Sequence, residues 1–193
     1  MYGIAKFFCK IILMILYRIK VYGGENIPEG RGCIVCSNHY HWLDPVVVAC
    51  FFKRPIHFMA KKELFKNKLF SSILRKLNAF PVDRQAADIT AIKNAIKIVK
   101  NERVLGIFPE GTRVKEGKKS KVEPGIAMIG IKGKALIIPI GISGNYKFGS
   151  RLRVNIGHPI PLDDYYGKKL STAEFSEISE SIMSEVRKLI AQD

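Results

Sequence analysis

Two histidines and an aspartate crowd into the run Asn38-His39-Tyr40-His41-Trp42-Leu43-Asp44-Pro45. A histidine can take a proton from a hydroxyl near neutral pH. A carboxylate beside it fixes the tautomer and stabilises the imidazolium that forms. The separation of His39 from Asp44 suits a loop, because a continuous helix would hold the two side chains apart. The flanking sequence supplies that loop. Cys33-Ile34-Val35-Cys36 reads as a buried strand, and Asp44-Pro45 as a helix start, with Asp at the cap and Pro at the first helical position. The plainer alternative makes Asp44 an ordinary cap and His39 an ordinary loop residue.

Two further clusters follow apolar runs. Phe108-Pro109-Glu110-Gly111-Thr112-Arg113 comes directly after the continuous apolar stretch Val104 to Phe108. Gly111 permits a tight turn and a close backbone approach to a ligand. Arg113 can grip a phosphate with two parallel hydrogen bonds. Asn78-Ala79-Phe80-Pro81-Val82-Asp83-Arg84 sets Arg84 at the end of a short strand. Taken alone, each arginine equally fits a solvated surface charge.

Cys33, Cys36, His39 and His41 also have the ligand types of a zinc site. A strand over residues 33–36 argues against it, since positions three apart on a strand face opposite sides. No metal is therefore expected. Lys and Arg number 32 against 17 acids, a formal net charge of +15. That surplus attracts something anionic, either nucleic acid, anionic lipid or an acidic protein. No nucleic-acid-binding signature accompanies it. The densest basic stretch, Lys115 to Lys121, reads as a loop. The four cysteines show no disulfide framework, and a reduced cytosolic setting is expected.

The elements that must position these residues alternate between strand and helix. Strands are expected at Ile19–Tyr22, Cys33–Cys36, Ile56–Met59, Ala79–Val82, Val104–Phe108, Leu136–Ile142 and Arg153–Ile156. Helices are expected from Asp44 to about Phe52, from about Lys62 to Leu77, and over Ile126–Ile131. Ile89, Ile92, Ile96 and Val99 mark one face of another, and Phe175, Ile178, Ile182, Val186 and Leu189 one face of a closing helix. The alternation indicates an α/β fold with a largely parallel sheet, whose sites gather in loops past the strand C-termini. Residues 1–20 read as a separate amphipathic helix preceding a single domain over 21–193. The uncharged run Ile11–Tyr17 is too short to span a bilayer, which takes roughly 20 apolar residues. It fits an interfacial helix, with Phe7, Phe8, Ile11, Ile12 and Ile15 in lipid and Lys6, Lys10, Arg18 and Lys20 at anionic head groups. The alternative is a helix packed on the domain.

In order and type, the three clusters resemble those of the bacterial 1-acyl-glycerol-3-phosphate acyltransferases. That family carries His-x-x-x-x-Asp, then a Phe-x-x-Arg-like strand end, then Phe-Pro-Glu-Gly-x-Arg. Ala60-Lys61-Lys62-Glu63-Leu64-Phe65 and Ile137-Ile138-Pro139-Ile140 are also similar. The likeness covers roughly residues 20–160. It implies an α/β domain with a mixed sheet flanked by helices. It implies acyl transfer from a thioester, acyl-CoA or acyl carrier protein, to lysophosphatidate, giving phosphatidic acid, with another lysolipid or glycerol 3-phosphate as the alternative acceptor. His39 matches the family's base and Asp44 its partner. Arg84, Glu110, Gly111 and Arg113 match positions tied to the glycerol-phosphate acceptor, and Lys61 is a further candidate for the phosphate. No cofactor is implied beyond the acyl donor, and no nucleic acid. The implied location is peripheral, on the cytoplasmic face of the cell membrane. Two positions depart from the family pattern. His41 stands where Ser or Thr is usual, and Asn78 where Gly is usual.

Overall fold

The computed structural model describes residues 1–83, 88–114 and 121–191. Its strands are β1 (Arg18–Tyr22), β2 (Cys33–Ser37), β3 (Ile56–Lys61), β4 (Phe80–Val82), β5 (Val104–Ile107), β6 (Leu136–Gly144) and β7 (Arg151–Ile156). They form one sheet in the order β1-β7-β6-β2-β5-β3-β4. Every neighbouring pair is parallel except β6 with β7. β7 and β1 therefore run against the other five strands. The helices are α1 (Tyr2–Leu16), α2 (Asp44–Phe51), α3 (Lys68–Lys76), α4 (Ile89–Lys100), α5 (Gly125–Gly133) and α6 (Thr172–Ile190).

The alternation of β2 explains the layers. Ile34 and Cys36 join the core formed with α4, α5 and α6. Cys33 and Val35 join the opposite core, with Leu13 and Tyr17 from the N-terminal segment and Val47, Val48 and Cys50 from α2. A central parallel strand buried on both faces is apolar throughout, which is why β2 and β5 stand out in the sequence. The two cysteines thus lie on opposite faces of the sheet and cannot share one metal ion. Burial raises both thiols, Cys33 to about 11. Among the described residues all four cysteines are free, and no group of three metal-ligating side chains occurs.

Four expectations shift. The helix expected over 62–77 divides into a 3-10 turn, Lys62–Phe65, and α3. Asn67 makes the division by capping α3, its side chain accepting from the Phe70 N–H. On α4 the buried residues are Ala91, Ala95, Ile98 and Val99, while Ile89 is exposed. The small side chains let α4 pack closely; of the expected stripe, Val99 lies in the core, Ile92 and Ile96 pack against it partly buried, and Ile89 is left outside. Asp44 is the first helical residue rather than the cap, which is Leu43. The fourth shift concerns the N-terminal segment. The strand β1 begins at Arg18, so the domain starts before residue 21. α1 packs against α2 through Leu13, Cys9 and Leu16. Its Tyr2 hydroxyl accepts from the Ile56 N–H at 3.1 Å. Its other face leaves Ile4, Phe7, Phe8, Ile12, Met14 and Ile15 exposed. The alternative of a helix packed on the domain therefore holds for one of its faces. Among the described residues no helix is long and apolar enough to cross a membrane.

One edge of the sheet matters for function. The C-terminal ends of β2, β3, β5 and β6 lie along it. Because β7 and β1 run the other way, Arg151 and Arg18 reach the same edge, and the C-terminal end of α1 comes with them.

Candidate active site

Strand β2 ends at Ser37, and Asn38 locks its continuation. The Asn38 amide donates to the Ile142 carbonyl at 2.9 Å and accepts from the Ile142 N–H at 2.8 Å. A side chain thereby prolongs the β2–β6 ladder by one rung, and His39 leaves the sheet from a fixed point. Both backbone groups of His39 are then held by the loop after β5. Its N–H donates to Glu110 Oε2 at 2.8 Å, and its carbonyl accepts from the Val114 N–H at 2.8 Å. The imidazole lies against Phe108, ring centres 4.4 Å apart.

Asp44 is fully buried, and donors converge on its carboxylate. Oδ2 lies 2.9 Å from His39 Nδ1 and accepts from the Tyr40 N–H at 2.8 Å and the His41 N–H at 2.7 Å. Oδ1 accepts from the Tyr146 hydroxyl at 2.6 Å. Charge-assisted bonds of this kind are the strong ones. A carboxylate accepts only, so the proton on this side of the imidazole belongs to Nδ1. Nε2 is then left with its lone pair, the state a general base needs. The His39 side chain is 13% exposed, enough for a substrate hydroxyl to reach it.

His41 is built into the loop instead. Its ring stacks on Tyr146 with centres 4.0 Å apart, and its Nδ1 accepts from the Leu43 N–H at 3.3 Å. Burial, with help from the Arg113 and His39 charges and against Asp44, holds its pKa below the usual histidine value. A neutral His41 thus accepts from the backbone and holds the loop. Glu110 is half-buried, and that burial raises its pKa.

The loop after β5 turns at Gly111, whose φ is +66° and whose N–H donates to the Phe108 carbonyl. Arg113 is exposed on this loop, near enough to His41 for its charge to bear on that ring. Lys61 ends β3 on the same sheet edge and lies 3.7 Å from Glu63. Asn78 holds the left-handed conformation, φ +64°, at the end of α3, which an asparagine adopts more readily than most residues. Arg84 and most of the Lys115–Lys121 stretch lie outside the described residues.

Tyr146 and Asn38 carry the site and were not singled out by sequence. Nothing local marks Tyr146. It sits just past β6, and its only clue is that β6 ends on the edge where β2 ends. Burial and the Asp44 charge hold its phenol protonated, so it stays a donor. It also meets Tyr17 edge-on at 5.5 Å, which ties the end of α1 to the carboxylate.

Comparisons with known proteins identify the family. The acyltransferase family model matches residues 18–143. A 1-acyl-sn-glycerol-3-phosphate acyltransferase of Bacillus subtilis is 37% identical over 163 residues, covering 81% of this chain and 80% of that protein. One from Streptococcus pneumoniae is 30% identical, covering 93% and 70%. The crystal structure of the 1-acyl-sn-glycerophosphate acyltransferase PlsC from Thermotoga maritima superposes with a TM-score of 0.73 at 26% identity, over 95% of this chain and 77% of that one. The matched segment takes in the His39 loop, both halves of the Asp44 cluster short of Tyr146, and the turn at Gly111. This chain belongs to the acyltransferase family that includes the bacterial 1-acyl-sn-glycerol-3-phosphate acyltransferases.

Proposed function

We propose that this chain transfers a fatty acyl group from a thioester, acyl-CoA or acyl carrier protein, to the sn-2 hydroxyl of 1-acyl-sn-glycerol 3-phosphate, giving phosphatidic acid. The observation that carries the proposal is the contact of His39 Nδ1 with the buried Asp44 carboxylate, which leaves Nε2 as a base. The activity named for the Bacillus and Streptococcus relatives supports the choice of substrate.

His39 Nε2 takes the proton from the acceptor hydroxyl. The oxygen attacks the thioester carbonyl and forms a tetrahedral intermediate. The C–S bond then breaks, and the leaving thiolate takes the proton back from His39. Asp44 stabilises the imidazolium between these two transfers. The acceptor phosphate is assigned to Arg113 and the Gly111 turn, with Arg84 and Lys61 as further cations. Glu110 contributes through its bond to the His39 backbone. No metal has a part in these steps. The proposal includes peripheral attachment to an anionic membrane surface, on its cytoplasmic face where the acyl donors are, through the exposed side of α1.

Purified protein presented with a panel of acceptors and both donor types tests the reading. Lysophosphatidate is expected to be the preferred acceptor. His39→Ala should lower kcat by about 10²–10⁴-fold, the usual contribution of a general base, while His41→Ser retains most activity. An inactive His41→Ser beside an active His39→Ala would assign the base to the other histidine.

A further inference from the structure

We propose that α3, with the turn before it, is a second lipid-contacting element, placed across the active site from α1. The inference rests on the membrane-bound function proposed above.

No residue of α3 is buried, although its sequence separates into two faces. Leu69, Phe70 and Ile73 lie together on one side, next to Leu64 of the preceding turn, and all four are exposed, Leu69 to 75%. Leu74 and Leu77 on the flank are covered in part. Nothing else in the described chain packs on the protruding side, and a soluble domain does not usually leave such a face open. Between the turn and the helix runs an open groove of about 500 Å³ lined mainly by these apolar side chains.

The charge around this face selects the occupant. Lys66, Lys68, Arg75 and Lys76 flank it in the sequence, against Glu63, while Lys62 is paired with Asp83. Arg75 lies over the Phe65 ring, 5.4 Å from its centre, which keeps the guanidinium at the rim. An apolar ridge with a basic border matches the boundary between acyl chains and anionic head groups. Position supports lipid over an acidic protein. α3 follows the C-terminal end of β3, on the edge of the sheet that carries the His39 loop. The end of α1 reaches that edge at the opposite side, beside β1. Between them Trp42, in the His39 loop, and Phe148, before β7, are also exposed. Apolar side chains therefore continue along the edge from α1 to α3, and two separated contacts fix an orientation that one helix leaves free to roll.

The test uses the full chain and vesicles of phosphatidylcholine with or without phosphatidylglycerol. Leu69→Ser combined with Ile73→Ser should weaken binding to the anionic vesicles about tenfold or more. Thermal unfolding should be unchanged, as should turnover of a short-chain lysophosphatidate kept monomeric. In a separate Trp42→Phe, Phe70→Trp variant, the sole indole should be quenched by brominated lipid. Unchanged vesicle binding together with an unquenched indole would overturn the proposal. So would a loss of turnover confined to acyl carrier protein as donor, which would make α3 a protein dock. Wild-type protein that binds vesicles through α3 but fails to acylate lysophosphatidate would support the lipid contact and refute the proposed acceptor instead.

Discussion

Replacing Asp44 by asparagine separates the charge of this carboxylate from its geometry. In many acid–histidine pairs an amide turns its NH2 toward the imidazole and selects the wrong tautomer. Here the orientation is fixed by the loop. The Tyr40 and His41 N–H groups point at the Oδ2 position, so the amide oxygen must occupy it and still face His39 Nδ1. The amide nitrogen then faces the Tyr146 oxygen, which can accept. Only the negative charge is lost. A unit charge about 4 Å from the imidazolium, at an effective dielectric of about 20, is worth about 4 kcal/mol. The hydrogen bond retained by the amide offsets part of this, leaving about 10²–10³-fold in kcat. Asp44→Ala removes the oxygen as well and should be at least about tenfold worse than Asp44→Asn. Tyr146→Phe alone removes one donor of the four and should cost about tenfold. Combined with Asp44→Asn it leaves the amide NH2 unpartnered, so the two effects should not multiply independently. The assay is kcat on purified, folded variants, with the acceptor KM measured beside it. Equal activities for Asp44→Asn and Asp44→Ala would refute the argument that the loop pins the oxygen. Wild-type activity in Asp44→Asn would refute the role of the charge.

Arg113→Ala should raise the acceptor KM about ten- to a hundredfold, as expected for a lost charge-assisted bond to phosphate, with the donor KM nearly unchanged; equal losses for both substrates would point to damage of the loop. Glu110→Gln should raise the melting temperature at neutral pH. Burial raises the folded pKa of this carboxyl, so its stabilising contribution is complete below the unfolded value and is lost as pH rises through the folded one. Glutamine can still accept from the His39 N–H, and the two proteins should converge in stability at acid pH; a difference independent of pH would rule out the ionisation as its source.

Much of the fold is legible because parallel strands buried on both faces are apolar runs, as in Val104–Ile107, and because punctuation such as Asp44-Pro45 marks an element's start. Legibility fails where tertiary contacts choose. The buried seam of α4 uses Ala91 and Ala95 in preference to Ile89, and a pattern of large side chains passes over the small ones that sit deepest. The 3-10 turn before α3 is set by a cap at Asn67 that a long helical pattern conceals. In the site, His39 and Asp44 are close in sequence and carry a motif. Tyr146 reaches the same carboxylate from 102 positions away, with no local pattern to announce it. Strand order puts it there, and strand order is a property of the whole chain.

The pairing of β1 with β7 has a consequence for synthesis at the ribosome. The first strand of the chain finds its partner only when Arg151–Ile156 has emerged, and Asp44 lacks its fourth donor until Tyr146 has done so. At typical elongation rates that interval is on the order of ten seconds. During it the nascent chain displays α1, with its outward apolar face and basic residues, ahead of any completed sheet. Under the membrane attachment proposed above, the order of emergence gives the lipid surface first access to the helix. The base and its carboxylate acquire their final geometry afterwards.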